Sequence, residues 1–391
     1  MRLSSATRFN LFVFLLLGIL TTYAACGGRD LRGDLTNLWD RLFGPKTART
    51  LYKKELVKND LATERELEIW DGAFSVAKTT PLRVNPPHRE LLQFDGALPH
   101  SAQSFTLHLP PGRRLRISAL NDGSAVFGEL FSRQDGVASS RPLAFWGEQG
   151  LRELTYETER RNGEDLTFVL QSALAARGNC ELRVTTEPVL LFPVAGKDEA
   201  AIKSFWGAPR DGGRRRHEGN DIFAPKGTDL LAVTDGEITR VSNGGLGGKT
   251  VWLNDRQRGL RYYYAHLDQQ KVVRGQRVRR GDVVGTVGNT GNARTTPPHL
   301  HFGIYTGGAI DPYPFLQRAD ELPAVSPLPL AAEAPTSVPR RGSHYLRLTP
   351  ERDGTVIRQL TNGEAVVVLG AVGRFYRVRT EVGETGYANF D

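Results

Sequence analysis

Four side chains suited to holding a metal stand in two short patterns, His217-x-x-x-Asp221 and His299-x-His301, with Tyr264-Ala-His266-Leu267 between them. Imidazole nitrogen and carboxylate oxygen are both zinc donors, and a catalytic zinc takes three protein ligands so that its fourth position stays open to water. The set supplies enough donors without any thiolate, with imidazoles to spare for proton transfer, which points to hydrolysis. An H-x-H on a strand presents both rings on one face, because successive side chains alternate. His217 and Asp221 would share a face of a helix, but Gly219 and Asn220 disfavour one. Asp221-Ile-Phe-Ala224 is β-rich, so the pair belongs on a loop entering a strand.

Two rival motifs fail on context. His217-Glu218-Gly-Asn-Asp221 is one letter from the H-E-x-x-H of helical zinc proteases, but that chemistry needs the helix that Gly219-Asn220 opposes, leaving Glu218 a solvated loop acid. Asn243-Gly-Gly-Leu-Gly-Gly-Lys-Thr250 approaches a phosphate-binding P-loop. Asn243 holds the first glycine position, however, and Val251-Trp-Leu253 continues as a strand, so the segment is a glycine hairpin and no nucleotide is implied.

The ordered set Arg216-His217-x-x-x-Asp221-Ile-Phe-Ala-Pro225, Gly227-Thr228, Asp235-Gly236, Tyr264-Ala-His-Leu267, Gly281-Asp-Val-Val-Gly285, Gly288-Asn-Thr-Gly-Asn292 and His299-Leu-His-Phe302 resembles the lysostaphin-type, or LytM-domain, zinc metallopeptidases over 195–318. The resemblance implies that His217, Asp221 and His301 bind zinc and that His266 and His299 stand beside it as the catalytic pair. It further implies a β-rich domain with a groove, and an endopeptidase that uses metal-activated water on the cross-bridges or stem peptides of bacterial peptidoglycan. Some members of that family cut Gly-rich protein, and some have lost ligands and instead activate a partner amidase. Both alternatives stay open here: an inactive cell-wall adaptor, or a peptidase of an extracellular protein. His266 and His299 can serve as base or as oxyanion donor, and the sequence does not divide those tasks between them.

The elements that must position these groups are mainly β. The 391 residues allow two or three domains. The formal charge is +8, and 195–318 alone holds 19 Lys and Arg against 12 Asp and Glu, an excess of seven. A basic surface suits an anionic polymer such as peptidoglycan. No nucleic-acid motif accompanies the charge, and no nucleic acid is expected.

At the start, Arg2 and Arg8 flank a mostly apolar run over 9–20, the length of a signal peptide and short of a membrane span. Thr21-Thr-Tyr-Ala-Ala-Cys26 resembles a bacterial lipoprotein box, so 1–26 is read as a leader with Cys26 as the site of a lipid anchor; cleavage after Ala24 is the secreted alternative. Either route ends outside the cytoplasm, in the cell envelope or medium. A helical segment is expected over 30–90, with a capping box Thr63-x-x-Glu66 before a buried face of Leu67, Trp70, Phe74 and Ala77. Over 91–190 the period becomes two, in Phe105, Leu107, Leu109, in Leu115, Ile117, Ala119 and in Leu166, Phe168, Leu170, which predicts a β-sandwich. Five prolines in 320–342 mark a linker, placed at 319–342. The strand-sized pieces of 343–391 resemble the bacterial Src-homology-type barrel found beside cell-wall enzymes. Its aromatics Phe375, Tyr376 and Tyr387 belong either to its core or to a ligand groove.

Overall fold

A computed structural model describes residues 46–121, 125–146, 152–158, 160–319, 321–322 and 335–391. The leader, Cys26, the first part of the helical segment and much of the proline linker lie outside the described residues. Within them the expected mainly β fold is found: helices are few and short, and several antiparallel sheets carry the chain. No described helix is long and apolar enough to cross a membrane.

Helix Glu64–Thr79 starts where its capping box lies, with Thr63 N donating to Glu66 Oε2 at 2.8 Å and Glu66 N to Thr63 Oγ1 at 3.2 Å. Its Trp70, Phe74 and Ala77 are buried, while Leu67 is half-exposed. Trp70 Nε1 donates to Ser172 O at 2.9 Å, and Phe74 packs on Phe131, so the helix lies on one face of a sheet.

That sheet runs, in order, Leu82–Arg83, Ala102–Leu109, Glu164–Ser172, Val126–Gln134, Val137–Ala138. A second sheet holds His88–Asp95, Arg177–Pro188, Arg113–Asn121 and Glu153–Glu157. All nine alternating apolar residues singled out from the sequence are buried in one cluster between the two sheets, together with Cys180. Alternation places them on inner faces, so the two sheets close as a sandwich.

The second sheet does not end there. Leu91 and Leu92 pair with Ala371 and Gly370 of strand Val366–Val372, and Phe375–Thr380, Thr385–Ala388, Tyr345–Arg347 and Val356–Gln359 follow, giving nine strands in one ladder. The joint contains Tyr387, which is fully buried against Leu82 and Phe375. It is core, not groove.

The histidine-bearing segment forms its own eight-stranded sheet, ordered Ile202–Ser204, Asn220–Phe223, His299–Tyr305, Leu260–Ala265, Thr250–Asp255, Gly236–Ser242, Arg277–Val278, with Ala309–Ile310 beside His299–Tyr305. A three-stranded sheet of Asp229–Leu231, Val283–Thr286 and Gln269–Gln270 closes its core. Tyr264 links the two sheets, donating to Leu231 O at 3.0 Å and accepting from Val233 N at 3.1 Å. Neighbouring strands thus fix the register on which the site depends.

Candidate metal centre

His217 leaves the short strand Arg215–Arg216, and its backbone N–H donates to Ala208 O at 2.9 Å. Three residues on, Asn220–Phe223 begins and carries Asp221. Register then does the assembly: Asp221 stands opposite His301, Phe223 opposite His299, and Ala265 opposite His301. Gly219 is required between His217 and Asp221, because a Cβ there would sit 2.5 Å from Phe302 O and 2.8 Å from His301 Nε2. His266 follows the end of its strand in the left-handed region at φ 64, a conformation uncommon outside glycine and enriched at functional sites. Gly288 allows that turn, since its Cβ would lie 2.7 Å from His266 O.

Three donor atoms converge. His217 Nε2 lies 3.0 Å from Asp221 Oδ1 and 2.9 Å from His301 Nδ1, and His301 Nδ1 lies 3.0 Å from the same carboxylate oxygen. These three residues form a group whose donors could hold one metal ion. Protons support that reading. His217 Nδ1 lies 3.0 Å from Phe205 O, and a carbonyl only accepts, so Nδ1 carries the proton and Nε2 presents a lone pair. A lone pair, a carboxylate oxygen and a second ring nitrogen then face one another at hydrogen-bond distance, an arrangement that a cation satisfies better than any distribution of protons. A ligating histidine whose other nitrogen donates to a carbonyl is the usual way such a ring is oriented. Burial raises the Asp221 carboxyl, but the imidazoles of His217 and His301 facing it outweigh that and hold it well below the usual carboxylate range.

The remaining imidazoles flank the triangle. His299 stacks on Phe223 with centroids 5.0 Å apart, and its Nδ1 donates to Pro297 O at 2.9 Å. Its Nε2 points back toward Asp221 Oδ1 at 4.0 Å. His266 donates from Nδ1 to Thr290 O at 2.9 Å, and its ring centroid is 5.1 Å from that of His299. Burial first, then His299 and His301, lower the His266 pKa to about 4. The neutral His266 ring thus presents an unprotonated Nε2. All five residues singled out in the sequence line one groove of about 450 Å³. His88, His100 and His108 lie elsewhere, each paired with a carboxylate: Glu90, Asp95 and Asp165.

One neighbour of the site went unnoticed in the sequence. Arg210 Nη2 donates to Asp221 Oδ2 at 2.7 Å and to Ser204 Oγ at 2.6 Å. In the sequence it was one more positive charge in Arg210-Asp-Gly-Gly-Arg-Arg-Arg-His217, and only its place seven residues before a ligand hinted otherwise.

Residues 215–312 match the model of Peptidase family M23, and residues 342–389 match Bacterial SH3 domain. The chain carries a lysostaphin-type peptidase family M23 domain followed by a bacterial SH3 domain. Among curated relatives, it is 35% identical over 139 residues to the L-Ala--D-Glu endopeptidase of Bacillus subtilis, covering 32% of this chain and 42% of that protein. It is 38% identical over 110 residues to the glycyl-glycine endopeptidase ALE-1 of Staphylococcus capitis, covering 26% of this chain and 30% of the relative. The match therefore spans less than half the length of either. Among solved structures, the lysostaphin catalytic domain of Staphylococcus simulans is 33% identical, covers 29% of this chain and 89% of that one, and has a TM-score of 0.26.

Proposed function

We propose that this protein is an exported zinc metalloendopeptidase that hydrolyses peptide bonds in bacterial peptidoglycan, with His217, Asp221 and His301 as the zinc ligands. The observation that carries the reading is the triangle of donor atoms on His217, Asp221 and His301, with the imidazoles of His266 and His299 beside it. Bound there, zinc would supply Lewis acidity, polarising the scissile carbonyl and lowering the pKa of water toward neutrality. The chain supplies the rest. His266 or His299 accepts the proton that the attacking water loses and passes it to the departing amine, and the other, with a proton taken up from solvent on Nε2, donates to the developing oxyanion. Thr290 O and Pro297 O hold the two rings so that Nε2, not Nδ1, faces the reacting atoms. The substrate class comes from the relatives named above and from the SH3 domain beside the peptidase domain, a pairing that suits a wall-bound substrate. Export rests on the leader over 1–26, with lipidation of Cys26 or release by cleavage after Ala24 as its two endings; the mature N-terminus, read by mass spectrometry, separates them.

The test is digestion of purified sacculi with mass analysis of the released fragments, beside a metal determination on the same sample. One zinc per chain and new amine and carboxyl ends within the peptide moiety are expected. A zinc-bearing protein that releases nothing from sacculi but stimulates an amidase would overturn the enzymatic reading in favour of the adaptor. Cleavage of extracellular protein alone would overturn the substrate.

A further inference from the structure

The two oxygens of Asp221 are treated differently. Oδ1 faces His217 Nε2 and His301 Nδ1, both at 3.0 Å, whereas Oδ2 accepts from Arg210 Nη2 at 2.7 Å. From this asymmetry we infer that Arg210 is a positioning residue that makes Asp221 a one-oxygen ligand, an assignment that rests on the zinc reading above.

The guanidinium is itself held in place. The same Nη2 donates to Ser204 Oγ at 2.6 Å, and Ser204 stands opposite Asp221 in the strand ladder. Arg210 belongs to a small hairpin, Pro209–Arg210 paired with Arg215–Arg216, whose turn passes through Gly212 at φ 69 and Gly213 at φ 92. His217 follows the second arm directly, with its N–H on Ala208 O just before the first. One hairpin therefore delivers both a ligand and the residue that orients another ligand.

Two effects compete. A positive charge near a cation opposes binding, while a carboxylate fixed in one orientation loses less freedom on binding. Arg210 is 30% exposed and lies on the outward oxygen, so water screens the repulsion, whereas the 2.7 Å bond acts in full on a side chain that is only 12% exposed. Positioning prevails. Arg210 also occupies the oxygen that would otherwise be free to turn inward as a second donor, which keeps the site at three protein donor atoms.

The experiment compares wild type, Arg210→Ala and Arg210→Lys, each full length, by zinc affinity in competition with a chelator and by the visible spectrum of the cobalt-substituted protein. Arg210→Ala is expected to weaken zinc about tenfold or more. Its cobalt bands should lose intensity as Asp221 turns in its second oxygen and coordination rises. Both contacts come from one nitrogen, which a Lys ammonium ending one bond nearer its Cα supplies in part, so Arg210→Lys should recover part of the affinity and of the wild-type spectrum. Lost hairpin structure alone would not restore a cobalt spectrum through Lys. Unchanged affinity and spectrum in Arg210→Ala would overturn the assignment. A wild type that takes up no zinc would overturn the metal reading first and this assignment with it.

Discussion

His266 and His299 lie beside the donor triangle without joining it, and their Nδ1 protons are both spent on backbone carbonyls. Removing either ring should leave the ligands intact. His266→Ala and His299→Ala are therefore expected to keep about one zinc per chain yet lose on the order of 10²–10⁴-fold in turnover on sacculi. Full turnover in both variants would refute their catalytic role. Replacing His217, Asp221 or His301 with Ala should instead remove the metal, because among the described residues these are the donors that converge and no thiolate joins them; stoichiometric zinc in any of the three, by elemental analysis, would contradict the ligand assignment. These residues were legible in the sequence because donor type and spacing carry the chemistry directly. Arg210 was not. Its partner lies eleven residues away, and what joins them is a hairpin turn that no spacing rule describes.

Elements differed in how well they announced themselves. The capping box and the period-two runs were readable because both are local: Thr63 and Glu66 are neighbours on one turn, and each alternating strand declares its buried face within a few residues. The joining of the sandwich to the C-terminal strands was not, since Leu91 and Leu92 meet Ala371 and Gly370 across most of the chain, and edge pairing is set by backbone groups that every sequence possesses. Gly219 shows how an element constrains the site. With Phe302 O 2.5 Å and His301 Nε2 2.8 Å from its would-be Cβ, no flexible neighbour can retreat without moving a ligand strand. Gly219→Ala is expected to cost about 1–3 kcal/mol of stability, by analogy with overpacked cores, and to weaken zinc as well. Thermal unfolding with and without chelator measures both. An unaltered midpoint and affinity would mean that the strand pair yields more easily than its packing suggests.

At the scale of the whole molecule, the SH3 domain is fastened to the sandwich through a buried polar network. Glu90 is fully buried in strand His88–Asp95, with Oε2 accepting from His88 Nε2 and Tyr387 Oη, each at 2.9 Å. Arg377, 2% exposed, stands 3.6 Å from Glu90 Oε1, too far for a hydrogen bond but close enough for strong attraction where water is absent. Its Nη2 donates to Ser104 O at 2.7 Å, and its guanidinium lies 4.4 Å over the Phe105 ring, both in the sandwich. Burial pushes the Glu90 carboxyl up, but Arg377, His88 and Tyr387 together outweigh it and hold the group below the ordinary glutamate value of 4.5. The sign follows: a depressed folded pKa stabilises the fold above the unfolded value and ceases to do so as pH falls through the folded one. Arg377→Ala strips the carboxylate of its countercharge and should cost about 3–5 kcal/mol, the range for a buried pair broken on one side. Glu90→Gln in the same background keeps the shape, needs no countercharge and should recover part of that loss. Urea unfolding near neutral pH and again below pH 4.5 tests this, and the gap between wild type and Glu90→Gln should shrink at the lower pH. A gap that is constant with pH would show that the carboxylate charge does not hold the SH3 domain in place, leaving the shared ladder and the apolar contacts of Tyr387 to do so.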